Sequence, residues 1–208
     1  MPKFLIIDSA ATGDASVSRK LTADLAGRVT RRDDSAQIVR RDIGVATIPH
    51  LTAETVGAIR GVADSDAARA TEALSNELIA EVQAADVLVI GAPMYNFGMA
   101  STLKTWFDHV LRAGVTFRYT AEGPKGLVTG KKAIVIETRA GFYSEGPGAA
   151  MDSQEPHIRT LLGFMGFTDV TFVRAEKLAF GPDAASAAIA EAVAQLDRLA
   201  DGELKLAA

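Results

Sequence analysis

Three short stretches carry side chains suited to holding a flat, charged small molecule. The first, after an apolar run ending at Asp8, is small and hydroxyl-rich: Ser9, Thr12, Ser16, Val17 and Ser18, with Gly13 allowing a tight turn. Ser16 and Ser18 stand just ahead of a helical pattern, where free backbone N–H groups and the helix dipole favour an anion such as phosphate. A simpler role fits them equally: capping that helix. The second stretch, Met94, Tyr95, Asn96 and Phe97, offers aromatic faces and an amide for the edge of a planar ring. The third, Thr138, Arg139, Ala140 and Gly141, adds a cation and flexible backbone. Neither Gly-x-x-x-x-Gly-Lys nor Gly-x-Gly-x-x-Gly occurs there, which disfavours a nucleoside triphosphate or a dinucleotide. Phosphate at one end and a planar heterocycle at the other describe a mononucleotide, with flavin mononucleotide (FMN) the foremost candidate.

The elements that must position these stretches alternate between strand and helix. Residues 4–7, 37–42, 87–90, 133–137 and 169–174 read as strands, the third being a continuous apolar run stopped by Gly91, Ala92 and Pro93. Helices are expected over 17–30, 64–85, from Leu103 onward, over 153–165 with Gly166 as terminator, and over 184–200. Residues 115–130 break the rhythm and read as a β-hairpin excursion. The economical architecture is one α/β domain over 1–208, a doubly wound, five-stranded parallel sheet of order 2-1-3-4-5. Strands one, three and four are then neighbours, so the three stretches meet at one carboxyl edge.

Composition narrows the classes further. A hydrophobic content of 48% supports a full core, and a net charge of −4 with scattered basic residues argues against nucleic acid as the main partner. The absence of cysteine excludes disulfides, thiolate metal ligands and a cysteine nucleophile. The three histidines, His50, His109 and His157, are scattered, and no metal site is expected. His109 reads as a helix-surface or interface residue, and Trp106 as a core or dimer contact. No signal peptide or membrane helix is evident, so a cytoplasmic protein is expected.

Several motifs together carry a family resemblance. They are Pro93-Met-Tyr-Asn-Phe97, Leu103-Lys-x-Trp-x-Asp108, Gly114-Val-Thr-Phe-Arg-Tyr119, Gly123-Pro-x-Gly-Leu-x-x-Gly-Lys-Lys132 and Leu162-Gly-Phe-x-Gly-Phe167. In order, and over nearly the whole chain, they resemble the FMN-dependent NADH-azoreductase / NADH:quinone oxidoreductase family. The resemblance implies a flavodoxin-like homodimer binding FMN non-covalently at or beside the dimer interface. It also implies that Ser16, Val17 and Ser18, with Ser9 nearby, hold the phosphate. Met94, Tyr95, Asn96 and Phe97 would line the flavin ring, and Thr138, Arg139, Ala140 and Gly141 its other edge. The neighbouring Phe142 and Tyr143 are expected to shape access of the acceptor.

The leading expectation is a ping-pong oxidoreductase. NADH or NADPH donates, quinones or aromatic azo compounds accept, and FMN carries the chemistry without a catalytic protein residue. The alternative is a flavodoxin-type electron carrier that docks to protein partners. Hydrolysis on the same scaffold is disfavoured because no nucleophile-base pair is evident.

Overall fold

The computed structural model describes residues 1–203. Its elements in chain order are β1 (Lys3–Asp8), α1 (Val17–Arg32), β2 (Gln37–Asp42), α2 (Asp66–Ala84), β3 (Val87–Tyr95), β4 (Gly98–Met99) and α3 (Ser101–Val110). They are followed by β5 (Phe117–Thr120), β6 (Gly123–Gly126), β7 (Lys132–Thr138), α4 (Glu155–Met165), β8 (Asp169–Ala175) and α5 (Pro182–Arg198).

The principal sheet is six-stranded, with β2-β1-β3-β7-β8 parallel along its length and β4 paired antiparallel to the end of β3. The expected five strands are thus joined by a sixth, and the expected order 2-1-3-4-5 applies only when β4, β5 and β6 are left out of the numbering. β5 and β6 form a separate antiparallel hairpin, as the broken rhythm at 115–130 anticipates.

Period-two alternation decides which residues face which helices. Leu5 and Ile7 of β1, Leu88 and Ile90 of β3, and Ala133 and Val135 of β7 point to one side. There Leu78 and Val82 of α2, Leu103, Trp106 and Phe107 of α3, and Ile158 and Leu162 of α4 cover them. Phe4, Ile6, Val87, Val89, Ile134 and Ile136 point to the other, beneath Leu21 and Leu25 of α1 and Ala192 and Leu196 of α5. Both sides of each central strand are buried, which is why these strands read as continuous apolar runs.

Two expectations are corrected. Gly91, Ala92 and Pro93 do not stop β3, which continues to Tyr95 in register with β7 as far as Pro93 opposite Thr138. Gly91 serves packing instead. A Cβ there would lie 3.1 Å from Thr22 Cγ2 of α1 and 3.3 Å from Asp8 Oδ1, so the glycine lets helix and strands approach. His109 is not on a helix surface. It is buried, and its Nε2 donates to the Pro49 carbonyl at 3.0 Å. Trp106 is a core residue with no exposed surface.

Candidate functional site

The strand register brings the three stretches together. Asp8 at the end of β1 pairs with Gly91, and Thr138 at the end of β7 pairs with Pro93, so all three lie at or just beyond the carboxyl ends of adjacent parallel strands. Ser9 braces this edge from within. It is fully buried, its hydroxyl donates to the Gly91 carbonyl at 2.7 Å, and its own carbonyl accepts from Thr102 Oγ1 at 2.6 Å. The phenol of Tyr95 accepts the Ala11 N–H at 3.2 Å, tying the second stretch to the first.

Ser16 is the N-cap of α1, its hydroxyl accepting the Arg19 N–H at 3.3 Å. The capping role is therefore real, and it coexists with a second feature: the Ser16 and Ser18 hydroxyls lie 2.9 Å apart. No acidic residue occupies the first turn of α1, and helix geometry leaves the Val17 and Ser18 N–H groups without intrahelical partners. Hydroxyls, free N–H groups and dipole end thus coincide at one place.

Asn96 and Phe97 form the two-residue turn between β3 and β4, with φ of 48° and 69°. This is the left-handed turn that two-residue hairpins require and that glycine usually supplies. Holding non-glycine residues there costs on the order of 1–3 kcal/mol each. The Phe97 ring is half-exposed and meets Tyr143 edge-on, centroids 6.0 Å apart.

The third stretch divides. Ala140 and Gly141 stay at the edge, their carbonyls accepting the Ala179 and Lys177 N–H groups at 3.0 and 2.7 Å. A Cβ on Gly141 would lie 2.7 Å from the Tyr143 hydroxyl, so that ring sits directly on the glycine. Thr138 is buried, and Arg139 has no exposed surface. The Arg139 guanidinium does not face the crevice: it contacts Glu137 at 2.6 Å, Asp152 at 3.1 Å and Glu176 at 3.2 Å, and its Nε donates to Gln154 Oε1 at 3.0 Å. Burial works against its charge, but the surrounding carboxylates prevail and hold its pKa above the ordinary value. Burial also pushes the Glu137 carboxyl up to about 8, because Oε1 has no hydrogen-bond partner and Glu155 and Asp152 add repulsion against the attraction of Arg139.

Several site residues were not legible in advance. Arg19 pairs with Asp42 and donates through Nε to the Gly13 carbonyl at 3.0 Å, shaping the first loop from the first turn of α1. Beside Tyr95 and Asn96 lies a groove of about 560 Å³ that His50, Lys104, Ser153 and His157 also line. His50 and His157, scattered in sequence, therefore share one groove. Their only advance signal is that each follows a proline-bearing loop or helix start. Among the described residues, no three His, Asp or Glu side chains gather as a metal site.

The chain is similar in sequence and fold to known proteins. A family model described as flavodoxin-like fold matches residues 2–200. The chain is 48% identical over 200 residues to the FMN-dependent NADH:quinone oxidoreductase of Hyphomonas neptunium, covering 96% of each chain. It is 49% identical over 197 residues to the enzyme of that name from Ralstonia nicotianae, covering 93% of this chain and 95% of that one. The crystal structure of azoreductase from Bacillus anthracis superposes with a TM-score of 0.88 at 27% identity, covering 97% of this chain and 99% of the other. The chain belongs to the flavodoxin-like family that includes the FMN-dependent NADH:quinone oxidoreductases.

Proposed function

We propose that this chain is an FMN-dependent NADH oxidoreductase that reduces quinones to hydroquinones and cleaves aromatic azo compounds to amines. The observation that carries the reading is the meeting, at one sheet edge, of an acid-free helix N-terminus bearing two hydroxyls with a left-handed Asn-Phe turn. Those residues fit the group. Ser16, Val17 and Ser18 would take the phosphate by hydroxyl and N–H donation. Met94 to Phe97 would bound the ring, with the strained turn presenting backbone polar groups and the Asn96 amide at its edge. Ala140 and Gly141 would bound the opposite side through backbone alone, since the Arg139 side chain is committed elsewhere.

When bound, FMN supplies the two-electron redox chemistry that links nicotinamide to acceptor. The protein's part is to bind and orient. Ser9 and Tyr95 tie the first loop to β3 and Thr102 ties it to α3, so the phosphate and ring sites would keep a fixed separation. Phe97 and Tyr143 would wall one side of the crevice with apolar surface, and Phe142 precedes Tyr143 in its loop. Donor and acceptor would use this side in turn, a ping-pong cycle. Azo cleavage to two amines needs two such cycles. Relatives named for NADH favour that donor over NADPH.

The proposal includes a cytoplasmic homodimer acting on small molecules rather than on nucleic acid or at a membrane. The net charge of −4 supports the exclusion of nucleic acid, the homodimer rests on the family resemblance, and among the described residues no helix is long and apolar enough to cross a membrane. The deciding experiment is anaerobic addition of NADH to FMN-loaded protein. Bleaching of the flavin band, followed by multiple turnovers when a quinone is added, supports an enzyme. A flavin band that NADH and NADPH both leave unchanged would move the reading to an electron carrier.

A further inference from the structure

The loop that carries Phe142 and Tyr143 is held by the buried side chains of Glu176, Arg139 and Gln154. One oxygen of Glu176 accepts the Tyr143 N–H at 2.9 Å, the Ser144 N–H at 3.1 Å and Arg139 Nη1 at 3.2 Å. The other accepts the Ser144 hydroxyl. Arg139 continues the chain of contacts through Nε to Gln154, whose Nε2 donates to the Ala92 carbonyl in β3 at 2.9 Å. The adjacent Ser153 N–H donates to the Phe97 carbonyl at 3.0 Å. A continuous hydrogen-bonded path therefore joins the Phe97 turn to the Tyr143 loop, and the Phe97–Tyr143 ring contact closes the circuit. Lys177 adds a second hold, with its Nζ 4.0 Å from the centroid of the Phe142 ring.

We propose that Glu176, braced by Arg139, is a positioning residue that sets acceptor recognition by fixing the Phe142–Ser144 loop against the Phe97 turn. This rests on the oxidoreductase reading above. The carboxylate is suited to the task because one buried acceptor gathers two successive backbone N–H groups and a hydroxyl, pinning the loop at consecutive residues. The Ser144 hydroxyl and the Tyr143 N–H, with Arg139 behind them, hold the carboxyl below its ordinary pKa against the effect of burial. Removing the carboxylate leaves two N–H donors without their acceptor and frees the loop to move. The flavin phosphate site at Ser16–Ser18, built on α1, shares none of these contacts.

The test compares wild type, Glu176→Ala, Glu176→Gln and Ser144→Ala, each loaded with FMN. FMN affinity, the anaerobic rate of bleaching by NADH, and steady-state KM and kcat are measured with benzoquinone and with a two-ring azo compound. Glu176→Ala is expected to raise the KM for the azo compound about tenfold, with a smaller rise for benzoquinone and FMN affinity within about twofold. Glu176→Gln keeps an acceptor oxygen and should recover most of the loss. Ser144→Ala removes only the hydroxyl contact and should shift the same KM ratio in the same direction by about twofold. If Glu176→Ala does not fold, Ser144→Ala still reads the ratio. Equal losses on both acceptors, or an unchanged KM ratio in Glu176→Ala or Ser144→Ala protein that binds FMN normally, would overturn the proposal. If wild type itself is not bleached by NADH, the oxidoreductase reading fails first, which separates that failure from this one.

Discussion

Replacing Glu137 with glutamine should abolish a loss of stability that the native protein suffers between pH 6 and pH 8. Arg139 lies within 3.9 Å of four carboxylates: Glu137, Asp152, Glu155 and Glu176. Arg174 reaches Glu155 at 2.6 Å and Glu137 at 3.7 Å, and Arg159 reaches Glu155 at 2.7 Å. Negative groups outnumber positive ones, and Glu137 is the carboxylate with no solvent exposure and an unpartnered oxygen. It therefore keeps its proton up to about pH 8, against 4.5 in the unfolded chain. Between those values the native state binds one proton more than the unfolded state. Stability then falls with rising pH at up to about 1.4 kcal/mol per pH unit until Glu137 itself ionises. From pH 6 to pH 8 the loss is about 2 kcal/mol. Urea unfolding of the FMN-free protein at pH 6, 7 and 8 measures it, since bound flavin would add its own linkage. Glutamine mimics the protonated carboxyl, so Glu137→Gln should match wild type near pH 6 and exceed it by about 2 kcal/mol at pH 8. Parallel curves for the two proteins would refute the reasoning and mean that Glu137 is ionised throughout. The acid limb should be common to both. Burial alone would raise Glu155 and Glu176, but hydrogen bonds from Arg159 and Arg174, and from Ser144, Tyr143 and Arg139, hold them below their ordinary values. Their contribution is full above the unfolded pKa and is lost as pH falls through the native one.

Ser16→Ala should cost about 1 kcal/mol by removing the cap of α1 and weaken FMN binding about threefold to tenfold by removing a phosphate donor. Flavin fluorescence titration against thermal unfolding separates the two, and unchanged FMN affinity with a lowered melting temperature would leave capping as the residue's sole role. Gly126→Ala places a Cβ 2.3 Å from the backbone of Gly166, where the hairpin docks on the end of α4. Because backbone rather than a flexible side chain must yield, destabilisation of about 3 kcal/mol is expected by denaturant unfolding. A variant as stable as wild type would show that the hairpin docks less closely than this.

The sequence by itself determined the alternation of strands and helices, the bounds of β2, the hairpin at 115–130, the left-handed glycine that ends α4, and the three stretches that the fold brings to one sheet edge. These are local matters: periodicity, turn chemistry and caps act over a few residues, and a motif such as Pro93 to Phe97 keeps its meaning wherever it is folded. Tertiary structure alone decided what long-range contact controls. Gly91, Ala92 and Pro93 look like a strand terminator, yet neighbouring β1 and β7 hold them in register and α1 needs the missing Cβ. Arg139 looks like a ligand-binding cation, yet carboxylates supplied by β7, α4 and the end of β8 draw it inside. Glu176, 37 residues from Arg139, carries no local signal at all. Its role exists only because parallel β7 and β8 end side by side, a pairing that hydrophobic pattern permits and packing selects.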